Sequence, residues 1–254
     1  LTTSRSLIVT PLLGIPLIQP GDDITQVIVD GLEKNGLSLQ EGDALVITSK
    51  IISKSEGRIF TLAEVVPSAE AEALAEEVLK DPRLVELVLQ ESVAISRKAP
   101  NSLVVRHRLG FVSANAGLDQ SNVDTDGQVL LLPLDPDGSA AKIHEDLKER
   151  FGVSVGIVVS DSHGRPFRLG TAGIAIGVAG MPALLDLRGN QDLFGRVLKV
   201  SMQGYADMVA SAAQIVAGEG DEGLPIVLIR GLNYPQQAGK ATDLCRSIED
   251  DLYR

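Results

Sequence analysis

The sequence predicts a mixed α/β or α+β protein, because short β-branched apolar runs alternate with amphipathic stretches that carry helix caps, and glycines close many of the intervening turns. The composition agrees: 44% of residues are hydrophobic but only 3% aromatic, with no tryptophan, so the core has to be built from Val, Ile, Leu and Ala. A chain of 254 residues accommodates one large domain or two small ones, and either buries a sizeable core.

Taken along the chain, Glu41-Gly42 is a turn signal, and Asp43 to Thr48 is apolar and β-branched enough for a buried strand. Ser49 to Gly57 mixes Lys and Ser with Ile and reads as a polar, basic loop ending in a turn. Ser68 is placed to cap an alanine- and glutamate-rich helix ending near Lys80, without a capping box because Ala71 stands three residues on. Asp81-Pro82 caps a second helix, Arg83 to Glu91, and short alternating segments follow at Leu103 to Arg106 and Phe111 to Ala114. The turn at Asp135 to Ser139 feeds a helix that Gly152 ends, and Val153 to Val159 reads as a fully buried strand, which puts Asp161 just past its carboxyl end. Gly173 to Gly180 is a close-packed strand, Tyr205 to Val216 an alanine-rich helix, Leu224 to Ile229 a late core strand, and Lys240 to Tyr253 a last polar helix. No repeat or low-complexity linker marks a domain boundary, so residues 1–254 are read as one unit of uncertain internal division.

The balance of 23 Lys+Arg against 34 Asp+Glu, a net charge of −11, argues against a broad nucleic-acid surface but leaves room for a local basic pocket. One cysteine, Cys245, forms no intrachain disulfide and offers no thiolate partner for zinc. No apolar run reaches the roughly 20 residues that span a bilayer, and Leu1 to Arg5 lacks a secretory pattern, so the expectation is a cytoplasmic protein with no nucleic-acid or membrane partner.

Two acidic turns stand out, Gly117 to Asn122 around Asp119 and Ser160 to Pro166 around Asp161, each setting a carboxylate beside hydroxyl or amide groups. Carboxylates of this kind hold Mg²⁺ or Mn²⁺ against phosphate, although each equally serves to close a turn or cap a helix. Lys50, Lys54 and Arg58, beside the hydroxyl of Ser49, supply local positive charge, and Arg165 and Arg168 are candidates for a transferred phosphoryl group or a substrate carboxylate. The Gly-x-Gly-x-x-Gly at Gly218, Gly220 and Gly223 is rejected as a dinucleotide fingerprint. It follows a helix and precedes a strand, and its Glu219, Asp221 and Glu222 would repel pyrophosphate, so a surface turn is expected there. Asp124 to Gly127 and Asp135 to Gly138 read as Asx turns and a cap, and three histidines are too few for a histidine-rich metal centre.

Six segments occur in an order that resembles one family: Gly14 to Asp23, Val46 to Arg58, Asp81 to Glu86, Ala114 to Asn122, Leu132 to Ala140, and Ser160 to Arg168. Over about Gly14 to Gly231 the chain is similar to the coenzyme F420-0:gamma-glutamyl ligases. The resemblance implies a GTP-dependent ligase that joins L-glutamate to a deazaflavin coenzyme precursor through an acyl phosphate, with Mg²⁺ or Mn²⁺, and K⁺ as a further candidate ion. It implies an uncommon two-part α/β fold and an intertwined homodimer. Residue by residue, Asp119 matches a metal ligand, Asp161 and Ser162 a second metal site, Asn122 a nucleotide contact, and Ile15, Pro16, Leu17, Ile18, Ser49 and Lys54 the GTP-binding positions. Asp119, Asp161 and Lys54 are the catalytic candidates. Val200 to Met208 departs from the pattern, with Met202 at a ligand position where Gln203 is the only substitute. His163 and Phe167 stand where the resemblance leads to Phe and Trp. No fused nitroreductase-like domain is expected within this sequence. Two other readings stay open: a nucleotide-binding homologue without ligation, and an amide ligase for a different carboxylate.

Overall fold

The computed structural model describes residues 6–123, 125–235 and 237–251. In chain order the first elements are β1 (Ile8–Pro11), α1 (Ile24–Lys34), β2 (Ala44–Thr48), α2 (Ser49–Ser55), β3 (Ile59–Thr61), α3 (Ala69–Val78), α4 (Pro82–Gln90), β4 (Ser92–Ala99), β5 (Ser102–His107) and β6 (Val112–Ala114). Then come β7 (Gln128–Leu130), α5 (Pro136–Phe151), β8 (Gly156–Arg165), β9 (Arg168–Ala179), β10 (Leu184–Asp186), β11 (Met202–Gly204), α6 (Tyr205–Ala217) and β12 (Ile226–Arg230). The mixed α/β expectation is met.

The central sheet runs β1-β12-β2-β8-β9, with β2 and β8 parallel and the other neighbours antiparallel. Both faces are covered, which is why its strands read as continuous apolar runs. On one face Leu45, Ile47, Ile157 and Val159 pack against α1 and α5; on the other Val46, Val158, Val227 and Ile229 meet α6. Asp137, in the first turn of α5, locks that helix to the sheet edge by accepting from Val178 N and Ala241 N, each at 2.8 Å. A Cβ added at Gly177 would collide with the Pro136 carbonyl of the same turn. Gly177→Ala should therefore cost about 2 kcal/mol, the scale of overpacking a tight core, read as a lower urea midpoint at unchanged slope.

A second group of elements packs α3 and α4 on the sheet β4-β5-β6, with the β3–β7 pair alongside. Ser68 does cap α3 through Ala71 N, and Glu86 of α4 supplies what the sequence of α3 lacks, accepting from both the N–H and the hydroxyl of Ser68. Glu91, just after α4, is 6% exposed and gathers Arg58, Arg108 and His107 around its carboxylate.

Three expectations need correction. Ser49 to Ser55 is a helix and not a loop: Ile51 and Ile52 are drawn into the core, and that packing outweighs the weak propensity of a Ser- and Ile-rich heptapeptide. The strand expected at Val153 to Val159 begins at Gly156 and continues to Arg165, so Asp161 lies inside β8 rather than beyond it. Residues 240–251 form only a short 3-10 turn at Ala241–Leu244, and 252–254 lie outside the described residues. There Asp243 accepts from Lys240 N, and Ser247 and Asp250 bond to each other, local bonds that compete with a helix. Asp124, in one of the expected Asx turns, is likewise outside the described residues.

Candidate functional site

The site is organised by the β2–α2 junction. Helix α2 starts where β2 stops, and its 3.6-residue period sends Lys50 and Lys54 from the same side, one turn apart. Across it lies the segment Ile15 to Ile18, which reaches α2 because Gly21 N bonds the Ser55 carbonyl at 2.8 Å and Lys34 Nζ holds the Gly14 carbonyl at 3.1 Å. Between them opens a cavity of about 380 Å³, walled by Ile15 to Ile18, Ser49, Lys50, Lys54, Asn122, Ser160 to Ser162 and the end of α6 through Val227. All the GTP-binding candidates of the sequence, Ile15, Pro16, Leu17, Ile18, Ser49, Lys54 and Asn122, meet in this one cavity.

Lys54 is 8% exposed and has no ion-pair partner among the described residues. Its stem is buried in the cavity wall, and its ammonium, with no carboxylate on it, is left to water or to an anionic ligand. Lys50 is different: its Nζ lies 2.6 Å from Asp119 Oδ2 and 2.9 Å from Ser121 Oγ. Asp119 itself does not line the cavity but stands behind Lys50. Its backbone is pinned to Leu130 by two hydrogen bonds and its Oδ1 accepts from Ser121 N at 2.7 Å. Burial pulls the Asp119 carboxyl pKa upward, yet the hydrogen bonds from Lys50 and Ser121 outweigh it and leave the group below its ordinary value. The turn that presents it is strained, with Asn115, Ala116 and Gly117 all at positive φ (50°, 53° and 69°).

Asp161 faces α2 from β8, and its Oδ1 accepts from Ser49 Oγ at 3.1 Å. Ser162, on the opposite side of the strand, donates to Glu219 Oε2 at 3.0 Å. Glu219 belongs to the Gly218–Gly223 turn, which follows α6 and precedes β12 as expected, but which the sequence left as a plain surface turn and the structure uses as a cavity wall. Its acidic residues oppose Lys54, so the cavity is positive on one side and negative on the other. Asn122 Nδ2 reaches the Gly220 carbonyl at 3.5 Å, joining the two sides.

The remaining candidates lie elsewhere. Arg165 and Arg168 are exposed at the tip of the β8–β9 hairpin, where Arg165 Nη2 bonds the Leu169 carbonyl at 3.4 Å. Gln203 is exposed on β11, paired with Leu185, and neither it nor Met202 lines the cavity. Arg58 is spent on Glu91 at 2.8 Å and on the Leu132 carbonyl at 3.0 Å. No group of three or more His, Cys, Asp or Glu is placed to hold a metal by itself among the described residues. The donors at Asp161 and Ser49 are hard oxygens, and they fit a cation that takes its remaining ligands from water and substrate phosphate.

Among the described residues no helix is long and apolar enough to cross a membrane. The family profile described as F420-0:Gamma-glutamyl ligase matches residues 13–231. The chain is 46% identical over 245 residues to a coenzyme F420:L-glutamate ligase of Methanothermobacter thermautotrophicus, covering 95% of this chain and 96% of that protein. Enzymes of the same name from Methanopyrus kandleri and Archaeoglobus fulgidus are 43% and 42% identical, covering 93% and 97% of this chain and 93% and 96% of their own lengths. With more than four fifths of its length matched by the profile, the chain belongs to the F420-0:gamma-glutamyl ligase family.

Proposed function

We propose that this protein is a GTP-dependent ligase that adds L-glutamate to the deazaflavin precursor F420-0, and to the singly glutamylated product, in coenzyme F420 biosynthesis. The observation that carries the reading is Lys54, a largely buried lysine whose ammonium carries no ion pair, in a cavity that the apolar segment Ile15 to Ile18 also lines. Ile15 to Ile18 give a base a surface to pack on, and Lys54 neutralises the phosphoryl group in flight. Ser49, Asp161 and Ser162, with Asp119 beyond Lys50, would hold one or two Mg²⁺ or Mn²⁺ ions, which would supply positive charge to offset that of the transferred phosphate. A precursor carboxylate oxygen attacks the γ-phosphorus, the β–γ bridging P–O bond breaks, and GDP leaves. The glutamate amine then attacks the acyl carbon of the resulting acyl phosphate, loses a proton and expels inorganic phosphate.

The apolar side chains Phe167, Leu169, Leu193, Phe194 and Val200, each at least 85% exposed, support a homodimer in which a second copy covers them. The test of function is phosphate release from GTP with Mn²⁺ or Mg²⁺, L-glutamate and the precursor, each omitted in turn and K⁺ varied separately. Release that needs all four, with a glutamylated product by mass, is the expected outcome. Release indifferent to glutamate and precursor would reject ligation.

A further inference from the structure

Asp161 and His163 are two residues apart on β8, so their side chains leave the same face of the strand. His163 is 9% exposed and seated edge-on against Phe111, with ring centroids 5.0 Å apart. Its Nε2 lies 3.0 Å from Asp161 Oδ2. At that distance the N–H direction nonetheless misses the oxygen, and Nε2 has no hydrogen-bond partner. A buried polar atom left unpaired costs about 1–3 kcal/mol and calls for an explanation.

Two donor atoms 3.0 Å apart have the spacing of an octahedral edge. Ligands at about 2.1 Å from a common ion, in adjacent positions, are separated by about 3.0 Å. Ser49 Oγ donates to the other carboxylate oxygen, Oδ1, at 3.1 Å and braces the carboxylate while leaving Oδ2 to face the imidazole. The other orphaned imidazole makes a contrast. His107 Nε2 is 3.5 Å from Glu91, but Arg58 and Arg108 crowd that carboxylate and would repel a cation.

We propose that His163 Nε2 is a direct ligand of the divalent cation held at Asp161, which makes this centre a mixed nitrogen–oxygen site. The assignment rests on the cavity being the metal-dependent nucleotide site proposed above. An imidazole nitrogen raises affinity for transition-metal dications relative to Mg²⁺, which prefers all-oxygen shells. The consequence is a site that takes Mn²⁺ well ahead of Mg²⁺.

The experiment is Mn²⁺ bound to the full chain without nucleotide, read by pulsed electron paramagnetic resonance for nitrogen coupling, in protein of natural abundance and in protein carrying ¹⁵N-histidine. One imidazole coupling that changes isotope with the histidine label is expected. His163→Phe should lose it, with Mn²⁺ affinity down roughly tenfold and Mg²⁺ affinity little changed. Where His163→Phe fails to fold, labelled His144→Gln protein decides the question. His144 Nε2, 3.8 Å from Glu145 Oε1, is the other imidazole nitrogen placed beside a carboxylate that could take Mn²⁺, whereas His107 approaches a carboxylate that Arg58 and Arg108 already occupy. The coupling should persist in His144→Gln, and its loss there would assign it to His144 and overturn the proposal. Mn²⁺ bound through oxygen alone, a coupling retained in His163→Phe, or no Mn²⁺ binding would overturn the assignment. Oxygen-only Mn²⁺ with intact glutamate-dependent phosphate release would remove His163 as a ligand and leave the ligase reading standing.

Discussion

Lys54→Met is expected to lower phosphate release from GTP by roughly 100- to 1,000-fold, the scale on which one preorganised charge at a developing anion contributes. The same substitution should leave the folded state as stable as before, or slightly more so. Lys54 is largely buried and no carboxylate pairs with it, so replacing the ammonium by a thioether of similar length keeps the packed stem and orphans no partner. The two readouts together separate a binding role from a packing role: thermal denaturation of variant and parent should nearly coincide while turnover collapses. A variant that loses stability in proportion to activity would show that Lys54 holds α2 in place and does not serve the nucleotide. Lys50→Met makes a useful contrast, since it strands Asp119, whose ordinary partner at 2.6 Å is gone, and both readouts should fall.

How much of this was legible in the sequence depends on where each signal comes from. Caps and breakers acted locally and were readable: Ser68, Asp81-Pro82, Asp135 and Gly152 bound their helices as their chemistry requires. Helix α1 carried the same signals, an Asp23 cap before a stripe of Ile24, Ile28 and Leu32, and was readable in principle. Helix α2 was not, because nothing in Ser-Lys-Ile-Ile-Ser-Lys-Ser favours a helix until Ile51 and Ile52 find the core. Strand β4 was hidden for the opposite reason, being largely exposed and interrupted by register shifts, so it shows no alternation. For the site, the conjunction of the Ile15–Ile18 segment with Lys54 and Asn122 came from family resemblance alone, since no local pattern links residues so far apart. Only the folded chain showed that the acidic Gly218–Gly223 turn forms the opposing wall and that Asp119 reaches the cavity through Lys50.

The largest effect on stability is expected at Glu91, far from any role in chemistry. Burial by itself would raise the pKa of this carboxyl, but the close approach of His107 and Arg58 and the charges of Arg58 and Arg108 overcome it and bring it from an ordinary 4.5 to about 2. A carboxylate whose pKa is depressed on folding stabilises the native state above its unfolded pKa, and that contribution is lost as pH falls toward the folded value. The shift corresponds to about 3 kcal/mol at pH 7, shrinking to roughly 1 kcal/mol at pH 3. Glu91→Gln keeps the shape but removes the charge, leaving the buried Arg58 guanidinium, whose side chain is 15% exposed, without its counterion. Urea denaturation at pH 7 should show a loss of about 3 kcal/mol, which for a chain of this size lowers the melting temperature by about 6–12 °C. At pH 3 the gap between variant and parent should narrow to about a third of that. A deficit that stays the same at both pH values would mean that Glu91 matters for packing at the junction of α4 and β4, and that the charge cluster contributes little.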